Sequence, residues 1–385
     1  MKRFMKSSWL LFVSILLSAY VFNAKAEHSD NNYINKEFKV CPFNVDGLPQ
    51  KFGWISVNPD GKGAEGVKKI GQYIAQSNID IWALSEDFNY HGDLIEGLGK
   101  SDYQVGTARG GINLKNFKWN ARFDVDGLSL LCKAPFSFPK ESESWTKWNK
   151  CYGWVDHGND EMITKGYRYY LINLGDGIDM DVYILHMDAD TDTKDNEARA
   201  SQLEQLRDAI IAKDSHRPVI VMGDTNCRYT RDNILGLFIN PILAKGIYDV
   251  KDAWVELCKD GNYPKLGDAP LMASELGYLQ GEVVDKVIYL NPKDGDTHIS
   301  AIHFEVDTEM EESDHKPVIV TMRIEKSNTS TGIKALKKGL EGIYDLNGNR
   351  EVKGIYDLNG NSRKELSKGL NIVKMSDGST KKIWK

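Results

Sequence analysis

Several apolar runs typical of buried β-strands in this sequence end beside polar or ionisable residues. One such group beside a strand is usually capped or paired, but burying a whole set of them is costly unless they share a task. The pattern therefore predicts a functional site built from strand ends. These strand-end groups are Asn44, Glu86, His186, the segment Gly223-Asp224-Thr225-Asn226, and Ser313-Asp314-His315, which precedes the last strand pattern.

The segments between these groups alternate strand and helix patterns. Apolar residues recur at helical spacing near residues 67–74 and 203–210, and continuous apolar runs occupy 79–84, 181–185, 218–222 and 316–322. Many strands and few helices indicate sheets packed face to face with helices outside, which is an α/β architecture.

The residue types of the strand-end groups suit a hard divalent cation. Carboxylate and amide oxygens are preferred ligands of Mg²⁺, which keeps several waters, and histidines beside such an ion suit acid–base work. The sequence contains no Cys-x-x-Cys, His-Glu-x-x-His, Gly-x-x-x-x-Gly-Lys or Gly-x-Ser-x-Gly motif. These absences disfavour a zinc site, a P-loop and a serine hydrolase. We therefore expect hydrolysis of a phosphate ester by metal-activated water, with Mg²⁺ as the cofactor and Mn²⁺ as a substitute.

The first 26 residues match a secretory signal. A charged start precedes the apolar stretch 9–22, and Ala24-Lys25-Ala26 fits the small-x-small cleavage pattern. An uncleaved anchor is the alternative, which the shortness of the apolar stretch disfavours. We expect an exported protein that is secreted or held at the cell surface, with the periplasm as a further compartment.

The other end of the chain contains a repeat. Residues 342–349, Gly-Ile-Tyr-Asp-Leu-Asn-Gly-Asn, recur at 354–361. Each copy is a short β-like run that ends in an Asn-Gly turn signal. The predicted organisation is thus a signal at 1–26, a domain at 27–326, a linker at 327–332 and a β-rich tail at 333–385. The tail is either a sorting or attachment module or a small structural appendage.

Charge is distributed unevenly along the chain. Four basic residues lie in 1–26, and twelve basic and six acidic residues lie in 333–385, which leaves 33 basic and 49 acidic residues in 27–332. A body with a net charge of −16 (33 minus 49) lacks a general positive field for nucleic acid. This disfavours a tight nucleic-acid binder, although a metal ion could still supply the local positive charge of a nuclease.

Taken in chain order, short motifs over residues 38–322 resemble those of the endonuclease/exonuclease/phosphatase superfamily. The resemblance implies a four-layer α/β sandwich, with two packed mixed β-sheets flanked by helices and the active site at one end. The matching segments are Asn44-Val45-Asp46-Gly47-Leu48, Asp80-Ile81-Trp82-Ala83-Leu84-Ser85-Glu86, Asp126-Gly127-Leu128, His186-Met187-Asp188-Ala189, Gly223-Asp224-Thr225-Asn226, Val284-Asp285-Lys286-Val287-Ile288-Tyr289 and Ser313-Asp314-His315.

The resemblance also implies a metal-binding set. Glu86 would be the main Mg²⁺ ligand with Asn44 beside it, and Asp314 would lie near the metal or its waters. Many members of the superfamily have Gln before the metal-binding Glu, whereas this chain has Ser85.

The same resemblance implies catalytic roles for the remaining groups. His315 would be the general base, and Asp285 would fix its tautomer and orientation. Asp224 and Asn226 would position the attacking water and the phosphoryl oxygens. His186 would donate a hydrogen bond to the phosphoryl group as charge builds.

The choice of phosphate ester depends on weaker features. The acidic body, the predicted export and the segments around 126–131 and 165–167 favour a phosphodiester such as a membrane lipid, as in sphingomyelinase-like or phospholipase C-like enzymes. Tyr90 and His91, just after Glu86, are candidate pocket residues. Three tryptophans in 145–154, Trp148 among them, suit either a membrane interface or a packed loop.

Cys132 and Cys151 flank this tryptophan-rich segment. Their pairing would close a loop of about twenty residues and contribute on the order of 3 kcal/mol to stability. We therefore predict a disulfide between them, which the expected oxidising compartment would permit.

The leading hypothesis is an exported Mg²⁺-dependent phosphodiesterase. The alternatives are a secreted endonuclease, a phosphomonoesterase of the inositol-phosphate type, and a surface binding module that keeps the fold without catalysis. Nothing in the sequence indicates an obligate protein partner. The residues expected for metal binding and catalysis are all present, at Glu86, Asp224, Asp285 and His315, which counts against a non-catalytic binding module.

Overall fold

The computed structural model describes residues 33–118, 122–154, 157–327, 352–356, 362–363, 370–375 and 380–384. The predicted signal at 1–26 lies outside the described residues, as does the predicted linker after Ser327. The chain divides into two compact units, of which the larger is Asn35–Lys326.

The larger unit contains two six-stranded sheets, a two-stranded hairpin and six α-helices among the described residues. The strands are β1 (Tyr33–Asn44), β2 (Lys51–Phe52), β3 (Ile55–Ser56), β4 (Ile81–Ser85), β5 (Tyr103–Val105), β6 (Ser129–Lys133), β7 (Ser144–Lys147), β8 (Gly166–Asn173), β9 (Asp179–His186), β10 (Val219–Asp224), β11 (Tyr248–Asp252), β12 (Asp285–Pro292), β13 (Thr297–Val306) and β14 (Val318–Ser327). The helices are α1 (Gly63–Gln76), α2 (His91–Leu98), α3 (Thr193–Lys213), α4 (Asn240–Lys245), α5 (Ala253–Cys258) and α6 (Ala273–Leu276).

Both large sheets are mixed, as predicted. The first has the order β13-β14-β1-β4-β6-β5, and β1 and β4 run parallel in it. The second has the order β11-β12-β10-β9-β8-β7, with β9 and β10 parallel. Each sheet therefore has a central parallel pair, and the carboxyl ends of the two strands in that pair lie side by side.

Helices cover the outer faces of the two sheets. The apolar face of α1 is buried in the core of the first sheet together with Trp82 of β4. Helix α2 packs closely on α1 because Gly71 and Gly97 lack side chains; a Cβ at either position would lie within 2.2 Å of a backbone oxygen. In α3 the predicted apolar positions Leu203, Leu206 and Ile210 are buried. Strand β4 of the first sheet contacts β9 and β10 of the second, so the predicted four-layer α/β sandwich is confirmed.

The C-terminal segment forms a separate small sheet. Strands β15 (Val352–Tyr356), β16 (Ser362–Arg363), β17 (Leu370–Met375) and β18 (Thr380–Trp384) pair antiparallel in the order β16-β15-β17-β18. The second copy of the repeat begins in β15, whereas the first copy lies outside the described residues.

Among the described residues, no helix is both long enough and apolar enough to cross a membrane.

The predicted disulfide between Cys132 and Cys151 is not formed, and all five cysteines are free thiols. Cys132 lies in β6 of the first sheet, opposite Ile81. Cys151 lies instead beside the Gln202 side chain of α3, which belongs to the other half of the sandwich. The segment between the two cysteines crosses from one sheet to the other, so closeness in sequence does not bring the sulfurs together.

We expect all five thiols to react with a chromogenic disulfide reagent in denaturant without prior reduction. In the native protein the reaction should be slow, because burial raises the pKa of Cys132 to about 12 and raises the pKa of Cys41, Cys151 and Cys227 above the usual range. Thiol counting before and after denaturation measures both. A count of three in denaturant would show that a disulfide does form.

Candidate active site

The strand-end groups meet at one edge of the sandwich. Asn44 ends β1 directly opposite Ser85 of β4, so Glu86 follows beside it. In the second sheet Asp224, at the end of β10, lies opposite His186 of β9 on one side and Asp285 of β12 on the other. The strand register thus collects five groups that are far apart in sequence.

Asn44 connects the two sheets within this cluster. Its Nδ2 donates to Glu86 Oε1 at 3.0 Å and to Asp224 Oδ2 at 3.1 Å. Its Oδ1 accepts the backbone N–H of Asp46 at 3.0 Å and keeps a second lone pair for a metal. The amide nitrogen of Asn44 therefore links two carboxylates, and only the amide oxygen can serve as the predicted Mg²⁺ ligand.

His315 is held in the arrangement expected of a general base. The Ser313 hydroxyl donates to the Asn44 carbonyl at 2.7 Å and accepts the His315 N–H at 3.1 Å, which ties the last loop to β1. His315 Nδ1 lies 2.6 Å from Asp285 Oδ2, and Nε2 lies 3.8 Å from Asp224 Oδ2.

The charges around His315 set the ionisation of this group of residues. Burial would lower the pKa of His315, but Asp285, Asp224 and Asp314 raise it well above its usual value. Burial would likewise raise the pKa of Asp224, but His315, His186 and Asn44 together lower it. Each of these two residues therefore stabilises the charged form of the other, and His315 acts as a base from its neutral form.

His186 lies in contact with a buried lysine. The Lys165 ammonium lies 3.1 Å from His186 Nε2, and because an ammonium only donates, Nε2 must accept. Burial, reinforced by Lys165, lowers the pKa of His186 to about 3, so the ring is neutral. Nε2, the ring atom that lies 3.5 Å from Asp224 Oδ2, is thus engaged by Lys165, and the expected donation from His186 to a phosphoryl group stays a prediction. Lys165 is a second candidate donor at this position.

Lys165 is the main site residue that the sequence analysis gave no role. It is buried, pairs with the buried carboxylate of Asp160, and donates to the Met187 carbonyl at 3.1 Å. Asp160 in turn accepts the Ala189 N–H at 2.5 Å. A lysine directly before the apolar strand β8 was the available sequence signal, because an ammonium is rarely buried without a task.

A second carboxylate group lies on the other side of Glu86. Asp46 accepts from the Asn58 side chain and has a left-handed backbone, with φ of 49°. Burial, followed by the nearby charge of Asp314, raises the pKa of Asp46. Burial raises the pKa of Glu86 to about 7. These three carboxylates therefore face each other without a lysine or arginine ion pair among the described residues.

This surplus of negative charge is the observation that fits a divalent cation. Glu86, Asp46 and Asp314 supply hard oxygen donors, as Mg²⁺ or Mn²⁺ requires. Asp224, Asp285 and His315 also offer ligand atoms within 4.8 Å of one another. Both oxygens of Asp224 already accept hydrogen bonds, from Asn44 and Asn226, and His315 Nδ1 is bonded to Asp285 Oδ2, which leaves Asp285 Oδ1 and His315 Nε2. The Glu86 side is the better candidate for the ion.

Asn226 lies beside Asp224, as predicted. Its backbone N–H donates to Asp224 Oδ1 at 3.0 Å and its Nδ2 donates to the Met187 carbonyl at 3.2 Å. Thr225 anchors this turn through its hydroxyl to the Val284 carbonyl at 2.7 Å, next to Asp285.

The candidate substrate-binding residues differ in their surroundings. The Tyr90 hydroxyl accepts the Gln50 N–H at 3.3 Å, and His91 Nδ1 lies 2.6 Å from Asp87, which raises the pKa of His91. Both are half-buried at the start of α2, four and five residues after Glu86.

Trp148 cannot contact substrate as predicted. Its side chain is 2% exposed, packs on Tyr167, and donates from Nε1 to the His186 carbonyl at 2.7 Å. The residue therefore supports β9 from inside the core. The tryptophan-rich segment contributes the edge strand β7, and the guanidinium of Arg109 covers the Trp145 ring at 3.9 Å, so the packed-loop interpretation is the better one.

Comparison with known proteins identifies relatives of this architecture. The family described as "Endonuclease/Exonuclease/phosphatase family" matches residues 43–272. A sphingomyelinase of Mycobacterium bovis is 25% identical over 258 residues, which are 66% of this chain and 45% of that protein. The chain thus spans less than half the length of that curated relative.

Two solved structures are also similar. Sphingomyelinase C from Streptomyces griseocarneus has 17% identity and a TM-score of 0.46, with 74% of this chain and 99% of that chain covered. TDP2 of D. rerio, crystallised with a single-strand DNA product, has 16% identity and a TM-score of 0.48, with 74% and 99% covered.

We expect Mg²⁺ to raise the thermal unfolding midpoint of the full chain, because the ion would offset the repulsion among the clustered carboxylates of Glu86, Asp46 and Asp314. Glu86→Gln should raise the midpoint in chelator and abolish most of the Mg²⁺-induced shift. Differential scanning fluorimetry with and without Mg²⁺ measures both effects.

Glu305→Gln, at a partly exposed carboxylate outside the site, is the matched control and should keep the full shift. A Glu86→Gln protein that responds to Mg²⁺ as strongly as the native chain would exclude Glu86 as a ligand.

Proposed function

We propose, since this chain belongs to the endonuclease/exonuclease/phosphatase family, that it is a metal-dependent phosphodiesterase that uses His315 to activate water. The observation that carries the proposal is the strand-end cluster, in which an oriented histidine, a carboxylate surplus and a buried ammonium meet. This combination suits in-line attack on a phosphorus atom, which requires a base, a cation site and a fixed positive charge.

The two ring nitrogens of His315 have different tasks in the proposed reaction. Asp285 accepts the Nδ1 proton, which leaves Nε2 to take a proton from the attacking water. Asp224, beside Nε2, orients that water and stabilises the imidazolium that results. Holding these groups on paired strands supplies their orientation in advance.

Charge that builds on the phosphoryl oxygens would be met by fixed donors. Lys165 is a cation whose position is set by Asp160 and His186, so it needs no reorganisation during the reaction. Asn226 keeps its amide oxygen for the attacking water while its nitrogen holds the loop.

Glu86, with Asn44 and Asp314, would hold a Mg²⁺ ion, for which Mn²⁺ could substitute. When bound, such an ion supplies Lewis-acid polarisation of the phosphoryl group and lowers the pKa of coordinated water.

The substrate we propose is a lipid phosphodiester of the sphingomyelin type. The similarity to a mycobacterial sphingomyelinase supports this choice, as does the acidic body, which disfavours long polyanions. We further propose that residues 1–26 direct export, so that the enzyme meets its substrate outside the cytoplasm. Detection of the chain in the cytoplasm with residues 1–26 still attached would contradict export.

We expect release of phosphocholine from sphingomyelin vesicles in the presence of Mg²⁺, no release in chelator, and no nicking of plasmid DNA. His315→Ala should lower kcat by about 10²- to 10⁴-fold through loss of the base. His298→Ala, at an exposed histidine away from the cluster, should leave kcat unchanged.

DNA cleavage without lipid turnover would keep the site and overturn the lipid substrate. Full activity of His315→Ala on either substrate would overturn the mechanism.

Lys165→Met should lower kcat by about 10²-fold or more with a smaller change in KM, because the lost charge acts mainly as the phosphoryl group becomes more negative. The double variant Lys165→Met/Asp160→Asn removes the cation without leaving a buried carboxylate unpaired. Steady-state kinetics and a thermal unfolding midpoint are measured on both.

A double variant that regains native kcat would show that Lys165 only stabilises the fold. Lys150→Met, at a partly exposed lysine in the neighbouring segment, serves as the matched control.

A further inference from the structure

The largest exposed apolar side chains near the active site lie on two neighbouring segments. Trp54, at the tip of the β2–β3 hairpin, is 95% exposed, and Val57 follows the hairpin. Leu114, at 78% exposure, and Phe117, at 43%, lie in the loop before β6. We call the hairpin and residues 106–118 the aromatic–basic surface.

The two segments are joined through the buried ring of Phe123. Phe52 of the hairpin packs edge-on against Phe123 at 5.4 Å between ring centroids, and Phe117 packs on the same ring at 5.0 Å. The hairpin therefore has its own anchor in Phe52. Trp54 is not needed to hold it in place, since its ring projects almost entirely into solvent.

The aromatic–basic surface carries a net positive charge, whereas residues 27–332 as a whole carry a net negative charge. The hairpin, residues 51–56, and residues 106–118 together contain four Lys/Arg and no Asp or Glu. Their net charge is +4, against −16 for residues 27–332 as a whole, and the nearby Asp124 pairs with Arg109 and Lys118. Lys51, Lys115 and Lys118 are exposed beside the apolar side chains.

Both segments are fastened to the active-site loops. The hairpin is held by the bond from the Asn58 amide to Asp46 and by the Gln50 N–H to the Tyr90 hydroxyl. Asn89, three residues after Glu86, bonds both the N–H and the carbonyl of Ile112 at 2.8 and 3.2 Å. An object bound at this surface would therefore lie next to the Glu86 side of the site.

We infer that the aromatic–basic surface docks the enzyme on an anionic lipid bilayer. Exposed tryptophan and leucine enter the interfacial region, and lysines around them contact lipid phosphates, a combination typical of peripheral membrane binding. The inference rests on the proposed function in one respect: docking at this surface would present a lipid phosphodiester to Glu86 and His315. Nucleic acid fits less well because Leu114 and Val57 are aliphatic, so only the rings of Trp54 and Phe117 could stack on bases.

The test is co-sedimentation of the full chain with vesicles in chelator, so that binding is measured apart from hydrolysis. Phosphatidylcholine vesicles are compared with mixed phosphatidylcholine and phosphatidylserine vesicles. Since each basic side chain near an anionic surface strengthens partition roughly fivefold, the triple change Lys51→Gln, Lys115→Gln and Lys118→Gln should weaken binding on the order of 100-fold. Added salt should weaken native binding in the same way.

Trp54→Ser should weaken binding about tenfold at any salt concentration, because its contribution is apolar. Leu279→Ser, at a 50% exposed apolar side chain outside the surface, is its control. The triple change Lys100→Gln, Lys140→Gln and Lys245→Gln, at exposed lysines outside the surface, is the charge-matched control. Both controls should bind as the native chain does, and thermal unfolding midpoints verify that every variant folds.

Equal binding by Trp54→Ser and its control would overturn the inference, and so would binding of a DNA oligonucleotide or self-association through Trp54 in place of vesicle binding. The proposed function fails separately. A native chain that binds anionic vesicles but hydrolyses no phosphodiester keeps the docking surface and loses the function. Hydrolysis of a soluble phosphodiester without vesicle binding would keep the proposed function and overturn the docking surface.

Discussion

The site depends on the side chain of Asn44, which joins the two sheets at the edge where the chemistry is placed. One nitrogen donates to Glu86 of the first sheet and to Asp224 of the second. Because buried carboxylates repel, two sheets that each end in one would separate at this edge without a shared donor. The bond from Ser313 to the Asn44 carbonyl adds the loop that carries His315.

Charge divides the cluster into two halves with different tasks. Around Asp224 the carboxylate is balanced by His315, and Lys165 with a neutral His186 completes a half suited to proton transfer and to a charged phosphoryl group. Around Glu86 the carboxylates are unbalanced, and this half suits a cation. Proton transfer to a charged phosphoryl group requires balanced or positive surroundings, whereas a metal cation requires negative ones, so the two tasks occupy separate halves of the site.

Aromatic residues in this chain serve two purposes that their sequence pattern does not distinguish. Trp148 is buried and bonds the His186 carbonyl, so it stiffens the strand that carries a site residue. Trp54 has almost no contacts and stands beside exposed lysines. Three tryptophans cluster in residues 145–154 of the sequence, but the most exposed tryptophan side chain that the structure describes is the isolated Trp54 of the hairpin.

The sequence alone determined the family, the mixed α/β sandwich and the strand-end residues, because strand patterns and short motifs are local. The meeting of Asn44, Glu86, Asp224, Asp285 and His315 followed from strand order. Tertiary structure alone decided that Cys132 and Cys151 stay apart, that Trp148 is core, and that Lys165 donates to His186. Those outcomes depend on which faces of distant strands pack together and on burial. The spacing of residues along the chain predicts neither the packing of distant strands nor the burial of a side chain, because the packing partners come from other segments.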